Sequence, residues 1–118
     1  MEIVSFDLAK KLKERGFNWL CSHYYRLKCK DLFRVYPCED WSDIEERINA
    51  PTISQVLKWL RESKKMFVQI EINGMGYIVS IYRRKYFDSE LIYPLKNKFD
   101  TYEHAALAGI EYCLDNLI

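Results

Sequence analysis

The sequence lacks most of what would name a chemistry. It has no P-loop, no G-x-G-x-x-G, no G-x-S-x-G and no H-E-x-x-H. Phosphate cradles, dinucleotide folds, hydrolase elbows and zinc-protease helices are therefore not expected. The four cysteines, Cys21, Cys29, Cys38 and Cys113, include no C-x-x-C spacing, so neither a metal site nor a bound cofactor is expected. No apolar run approaches the ~20 residues of a membrane span. The opening MEIVSFDLAKKLKER reaches its charges before any long apolar run. A secretory signal is not expected, a cytoplasmic location is, and the cysteines read as free thiols. A net charge of +1 leaves no bulk field to draw a polyanion, so only a local patch could do so. There is no internal repeat and no low-complexity segment.

What is present is a chain of 118 residues, 49% hydrophobic and 30% charged, the range of a folded domain rather than a disordered one. Residues 1–118 are expected to form a single α+β domain with a core of its own. Aromatics reach 15%, a surplus that fills small β-cores as readily as it lines binding surfaces.

The stretch MFVQIEINGMGYIVSIYR, from Met66 to Arg83, organises the rest. Two runs rich in Val, Ile, Phe and Tyr flank Asn73-Gly74, a strong hairpin signal. An Asn73-Gly74 turn pairs Ile72 with Met75, Ile70 with Tyr77, Val68 with Val79 and Met66 with Ile81. A turn spanning Asn73 to Gly76 shifts the pairing by two. Both registers put the same apolar residues on one face. Gln69, Glu71, Ser80 and Tyr82 take the other face, with Phe67 and Ile78 among them. A second, poorer hairpin is expected over Cys21 to Tyr36. A loop of Cys29, Lys30 and Asp31 would pair Leu27 with Phe33 and Tyr25 with Val35, leaving Tyr24, Arg26, Lys28 and Arg34 outward. A further short strand, Glu90 to Tyr93, should end before Pro94.

Three helices are predicted. The first runs Phe6 to Arg15, with Ser5 as N-cap, Leu8, Ala9 and Leu12 inward, and Gly16 just beyond its end. The second runs Ile53 to Glu62 behind a Thr52/Gln55 capping box, with Ile53, Val56, Leu57 and Leu60 as its apolar stripe and Trp59 at the stripe's edge. The third runs Tyr102 to Leu117, capped by Asp100 or Thr101. Ala105, Ala106 and Gly109 make one side of it smooth enough to lie close on the main hairpin. Between Pro37 and Ala50 the chain turns acidic. Ser42 with Glu45 suggests a short helix from Asp43 to Ile48, and Trp41 a lid on the core edge. The expected order is α-β-β-α-β-β-β-α, a two-layer sandwich with an antiparallel sheet of about five strands.

Three stretches resemble short hypothetical proteins of phages and mobile elements of gut bacteria. They are SFDLAKKLKERGF from Ser5, APTISQVLKWLRE from Ala50 and TYEHAALAGIEYCLDNLI from Thr101. The likeness covers the helices and under half of the chain. It implies a prokaryotic, phage-type source and a shared fold, and it carries no catalytic residue across.

Candidates for catalysis are few. Cys21 and His23 sit two apart, the right types for a thiolate pair. A buried cysteine beside a strand-end histidine explains them as well. His104 and Glu111 lie on the polar side of the third helix, where solvation accounts for them. A non-enzymatic role is therefore expected. Binding has better candidates. Tyr24, Arg26, Lys28 and Arg34 form one basic and aromatic cluster, and Tyr82, Arg83, Arg84 and Lys85, with Tyr86 beside them, form another. Such mixtures suit a nucleic-acid backbone with stacked bases. They equally suit a docking patch for another protein or a second copy. The leading expectation is a small accessory protein that binds a protein partner, and the alternative is a nucleic-acid-binding module.

Overall fold

The computed structural model describes residues 2–34, 47–85 and 88–118, with backbone alone at 85, 88–90 and 92–97. The fold is α+β, and the described residues form three α-helices and two antiparallel three-stranded sheets. The chain divides into two compact units, 1–55 and 56–118. The sheet expected to be one is thus two, ordered β2-β1-β3 and β4-β5-β6.

In the first unit, helix α1 (Phe6–Glu14) forms as its caps dictate. The Ser5 hydroxyl accepts from the Leu8 amide at 3.3 Å. Gly16 takes φ 93, the left-handed conformation that ends a helix cheaply only at glycine. Leu8, Ala9 and Leu12 are buried, as their spacing predicts. The segment before α1 is strapped to the chain before α2 (Ile53–Ser63). The Val4 amide donates to the Pro51 carbonyl and the Ile53 amide to the Glu2 carbonyl, both at 3.0 Å. The Thr52/Gln55 box closes in both directions, at 2.9 and 3.1 Å.

The first sheet corrects the sequence reading twice. Strands β1 (His23–Arg26) and β2 (Leu32–Arg34) pair Tyr24 with Phe33 and Tyr25 with Leu32. The expected partner of Tyr25 was Val35. The loop is Leu27 to Lys30, closed by the Arg26 amide on the Asp31 carbonyl at 3.2 Å. Lys30, not Asp31, takes the left-handed conformation, at φ 58. The register moves by an odd number of residues, so β2 turns over relative to β1. Tyr24, expected outward, is buried with 9% of its surface exposed. The second correction is β3 (Arg47–Ala50), which pairs with β1 as the third strand. Arg47 and Ile48 are extended, where a helix reaching Ile48 was predicted. The capping-box signal was local, and pairing with β1 overrides it here. The rest of that predicted helix, and Trp41, lie outside the described residues.

One face of this sheet carries Tyr25, Ile48 and Ala50. The Phe6 ring meets Tyr25 edge-on at 5.6 Å, and the Tyr25 hydroxyl donates to the Val4 carbonyl at 2.6 Å. Burial pushes the Tyr25 phenol above its usual pKa.

In the second unit, β4 (Met66–Asn73), β5 (Gly76–Lys85) and β6 (Asp88–Phe99) form a meander. Asn73 pairs with Gly76 and Ile72 with Tyr77, which is the shifted register. The turn residues are Gly74 and Met75, with Gly74 at φ 64. Glycine first in a two-residue turn is the II′ arrangement, which matches strand twist. β6 runs through Pro94, beyond the end predicted for it, because it is an edge strand whose outer N–H bonds nothing in the sheet. Two register shifts interrupt its pairing with β5.

Helix α3 (Tyr102–Tyr112) is capped by the Thr101 hydroxyl, which accepts from the His104 amide at 3.1 Å. Its last turn widens into a π-helical stretch, Cys113–Leu117. The smooth side lies on the sheet as expected. A Cβ added at Gly109 would stand 2.5 Å from Val68 Cγ1 and 3.0 Å from Val79 Cγ1. Met66, Val79, Ile81, Ala105, Ala106 and Ile110 are buried, and so are Val56, Leu57, Trp59 and Leu60 of α2.

Candidate functional site

The site residues expected from sequence do not stay in the two clusters predicted: they divide between both faces of each sheet and the β1–β2 loop. Alternation along β1 places Tyr24 and Arg26 on one face of the first sheet, with Phe33 of β2 and Arg47 and Asn49 of β3. The Tyr24 and Phe33 rings stack at 5.6 Å, 20° from parallel. Each arginine reaches diagonally to a ring on the next strand. The Arg26 guanidinium lies 5.1 Å from the Phe33 centroid, and that of Arg47 lies 4.6 Å from the Tyr24 centroid. These are cation–π distances. Arg26 and Arg47 are direct cross-strand partners, an arrangement of like charges that costs stability unless something offsets it. The rings provide part of that offset. Arg34 is not in this group. It pairs with His23, on the Tyr25 face. Lys28 sits exposed in the β1–β2 loop.

Sequence reading missed Phe33 and Arg47 as members of this cluster. The signal available was the period of two in RINA, which puts Ile48 and Ala50 on one face and Arg47 and Asn49 on the other, Asn49 being buried as well. Four residues are too few to outweigh a capping pattern.

The second cluster also divides. Tyr82 stands between Phe67 of β4 and Leu91 of β6 in one cross-strand row. Leu91 is 50% exposed. Arg84 shares that face. Arg83 pairs with Met66 and falls on the opposite face, and Lys85 pairs with Asp88 at the strand end. Both arginines are exposed. They form an end of the sheet rather than a pocket.

The apolar face of the main hairpin is covered at one end only. Met66, Val79 and Ile81 are buried, whereas Ile72 is 76% exposed and Met75, at the tip, fully so at 103%. Tyr77 and Tyr102 meet edge-on at 6.4 Å beside them. Sequence reading placed Ile72 and Met75 on the inner face, and alternation alone does not say how far along a strand its cover extends.

Cys21 is buried and its thiol donates to the Trp19 carbonyl at 3.3 Å. His23 Nδ1 lies 2.8 Å from the Ser22 hydroxyl. Each therefore has a local partner of its own. Cys113 is buried and its thiol pKa is pushed up to about 12 by desolvation, which disfavours a thiolate. Among the described residues no group of three or more His, Cys, Asp or Glu side chains could hold a metal ion, and no helix is long and apolar enough to cross a membrane.

No family model, no curated protein and no solved structure matches the chain.

Proposed function

We propose that this chain is a small, non-enzymatic cytoplasmic accessory protein that acts by binding another protein. The observation that carries the reading is the uncovered end of the main hairpin, where Ile72 and Met75 stand 76% and 103% exposed on an ordered strand pair and tight turn. Exposed apolar side chains grouped on a regular surface are what protein interfaces bury. The likeness of its helices to phage-encoded proteins agrees with an accessory role. The test is a photo-crosslinking residue placed at Met75 or Ile72 in the native host. A defined protein adduct from these positions, and none from the exposed Lys10 of α1, supports the reading. Equal labelling from Lys10, or no adduct at all, sinks it. So does specific turnover of a metabolite that disappears on changing Cys21 or His23.

A second reading, a nucleic-acid-binding module, is favoured by the first sheet. Two arginines side by side over stacked aromatic rings suit a phosphodiester backbone and unstacked bases. It predicts binding of single-stranded oligonucleotides at low salt that weakens in Arg26→Ala and Arg47→Ala, and further when Arg83, Arg84 and Lys85 are neutralised. Absence of any binding at low salt removes it.

A further inference from the structure

The two sheets have four edges between them, and they are treated differently. Among the described residues β2 spans three and β3 four. β6 is long but carries Pro94 and two register shifts. Proline, irregularity and shortness are the devices that blunt an edge. β4 has none of them. Its eight residues pair with β5 in unbroken register, and its other side pairs with no strand of the sheet.

Which amides that side presents follows from one hydrogen bond. The Arg84 amide donates to the Lys65 carbonyl at 3.0 Å. In an antiparallel ladder the bonded residues alternate, so Lys65, Phe67, Gln69, Glu71 and Asn73 bond to β5. Met66, Val68, Ile70 and Ile72 turn their N–H and C=O groups to the open side. Those groups have no backbone partner among the described residues.

We infer that this edge pairs with the β4 edge of a second copy of the chain, antiparallel, with Ile70 on the two-fold axis. The inference rests on the protein-binding reading and names the partner. In this register Ile70 faces its own counterpart and Val68 faces Ile72 of the partner subunit, so the apolar row continues across the junction. Gln69 faces Glu71 of the partner subunit, an amide donor against a carboxylate. Within one chain the Gln69 side chain already donates to the Glu71 carboxylate at 2.8 Å, so the two groups are matched in chemistry and share one face. Centring on Val68 would set Ile72 against Lys64 of the partner subunit, and centring on Gln69 would set Phe67 against Glu71 of the partner subunit. In the Ile70 register the apolar row pairs apolar with apolar and Gln69 meets Glu71, while Phe67 falls opposite Asn73 of the partner subunit toward the strand end. This register also covers part of the exposed Ile72 side chain.

The experiment uses the whole chain and combines sedimentation equilibrium with residue-resolved hydrogen exchange, from micromolar to millimolar concentration. The expected result is a monomer–dimer equilibrium in which the Val68, Ile70 and Ile72 amides slow at least tenfold as dimer forms. The Gln69 and Glu71 amides, bonded to β5 in either state, do not change with concentration. Ile72→Pro removes an outward N–H and no bond to β5, and is expected to be monomeric. Ile72→Lys leaves the backbone intact and is expected to weaken dimerisation at least tenfold, so a folding defect in the proline variant does not decide the matter. A monomer at all concentrations overturns the inference. So does a dimer whose β4 exchange is unchanged, or one indifferent to both substitutions. A synthetic Met66–Asn73 peptide should dissociate the dimer, and an unrelated extended peptide should not. Equal competition by the two would mean that the edge takes peptides in general, and overturns the inference as well. Monomeric protein that still gives the Met75 adduct in cells refutes the self-pairing and leaves the protein-binding reading standing.

Discussion

Replacing Gly109 by alanine tests the packing of α3 on the second sheet most directly, because two opposing terms have known sizes. Gly109 is interior to α3. Alanine there should gain about 1 kcal/mol from helix propensity, since glycine loses more backbone freedom on folding. Against this, the new Cβ would stand 2.5 Å from Val68 Cγ1 and 3.0 Å from Val79 Cγ1. Carbon atoms pack best about 3.5–4.0 Å apart, so roughly an ångström must be found. Val68 and Val79 are β-branched and stiff at χ1, and Val79 is buried. Neither side chain can swing away freely, so helix and sheet must part. Overpacking of this kind costs about 1–3 kcal/mol, occasionally more. The upper half of that range outweighs the propensity gain, and the net expectation is a loss of about 1–2 kcal/mol. Urea denaturation at constant m-value measures it. A double-mutant cycle with Val68→Ala isolates the contact. Removing Cγ1 should recover part of the loss, with a coupling of about 0.5–3 kcal/mol. A Gly109→Ala protein as stable as the parent, or more so, would mean that α3 does not approach β4 and β5 as closely as it does here.

Three further outcomes are expected. Leu57→Ala should cost about 2–5 kcal/mol of unfolding free energy, because Leu57 is buried on the α2 stripe; a loss under ~0.5 kcal/mol is what an exposed position gives. Lys65 holds φ 57, a conformation that strains a side-chain-bearing residue by about 1–2 kcal/mol, so Lys65→Gly should leave stability equal or raise it by up to about 1 kcal/mol in thermal melts. Cys113 has a thiol pKa of about 12 in the fold against 9.0 for an ordinary cysteine. Between those values the unfolded chain has released a proton that the folded chain keeps. The stability this contributes is whole below pH 9 and declines as pH rises through the window, at up to about 1.4 kcal/mol per pH unit. The Cys113→Ala protein should show a shallower decline when unfolding is followed from pH 8 to 11.

Much of the fold was legible residue by residue. Ser5, Gly16, Thr52, Gln55 and Thr101 act through bonds or conformations spanning at most four residues, and each does in the structure what its type requires. The amphipathic stripes of α1 and α2 are buried as spaced. Gly109 with Ala105 and Ala106 showed where α3 would lie against a sheet. Registers were less legible. A loop one residue longer than expected turned β2 over, which buried Tyr24 and moved Arg34 to the far face. The basic and aromatic site changed membership for that reason alone: Arg34 left it, and Phe33 and Arg47 joined.

The sequence by itself determined the helices, their caps, the main hairpin and the residues of its inner face, because the forces behind them act over a few residues or through a simple period. Only the tertiary structure decided that Arg47–Ala50 is a strand, how far along the hairpin its cover extends, and which strands lie at the sheet edges. Those depend on contacts between segments distant in the chain. Hydrogen bonds along a ladder are nearly alike at every register, so the choice among registers falls to loop length and to whatever packs above the strands.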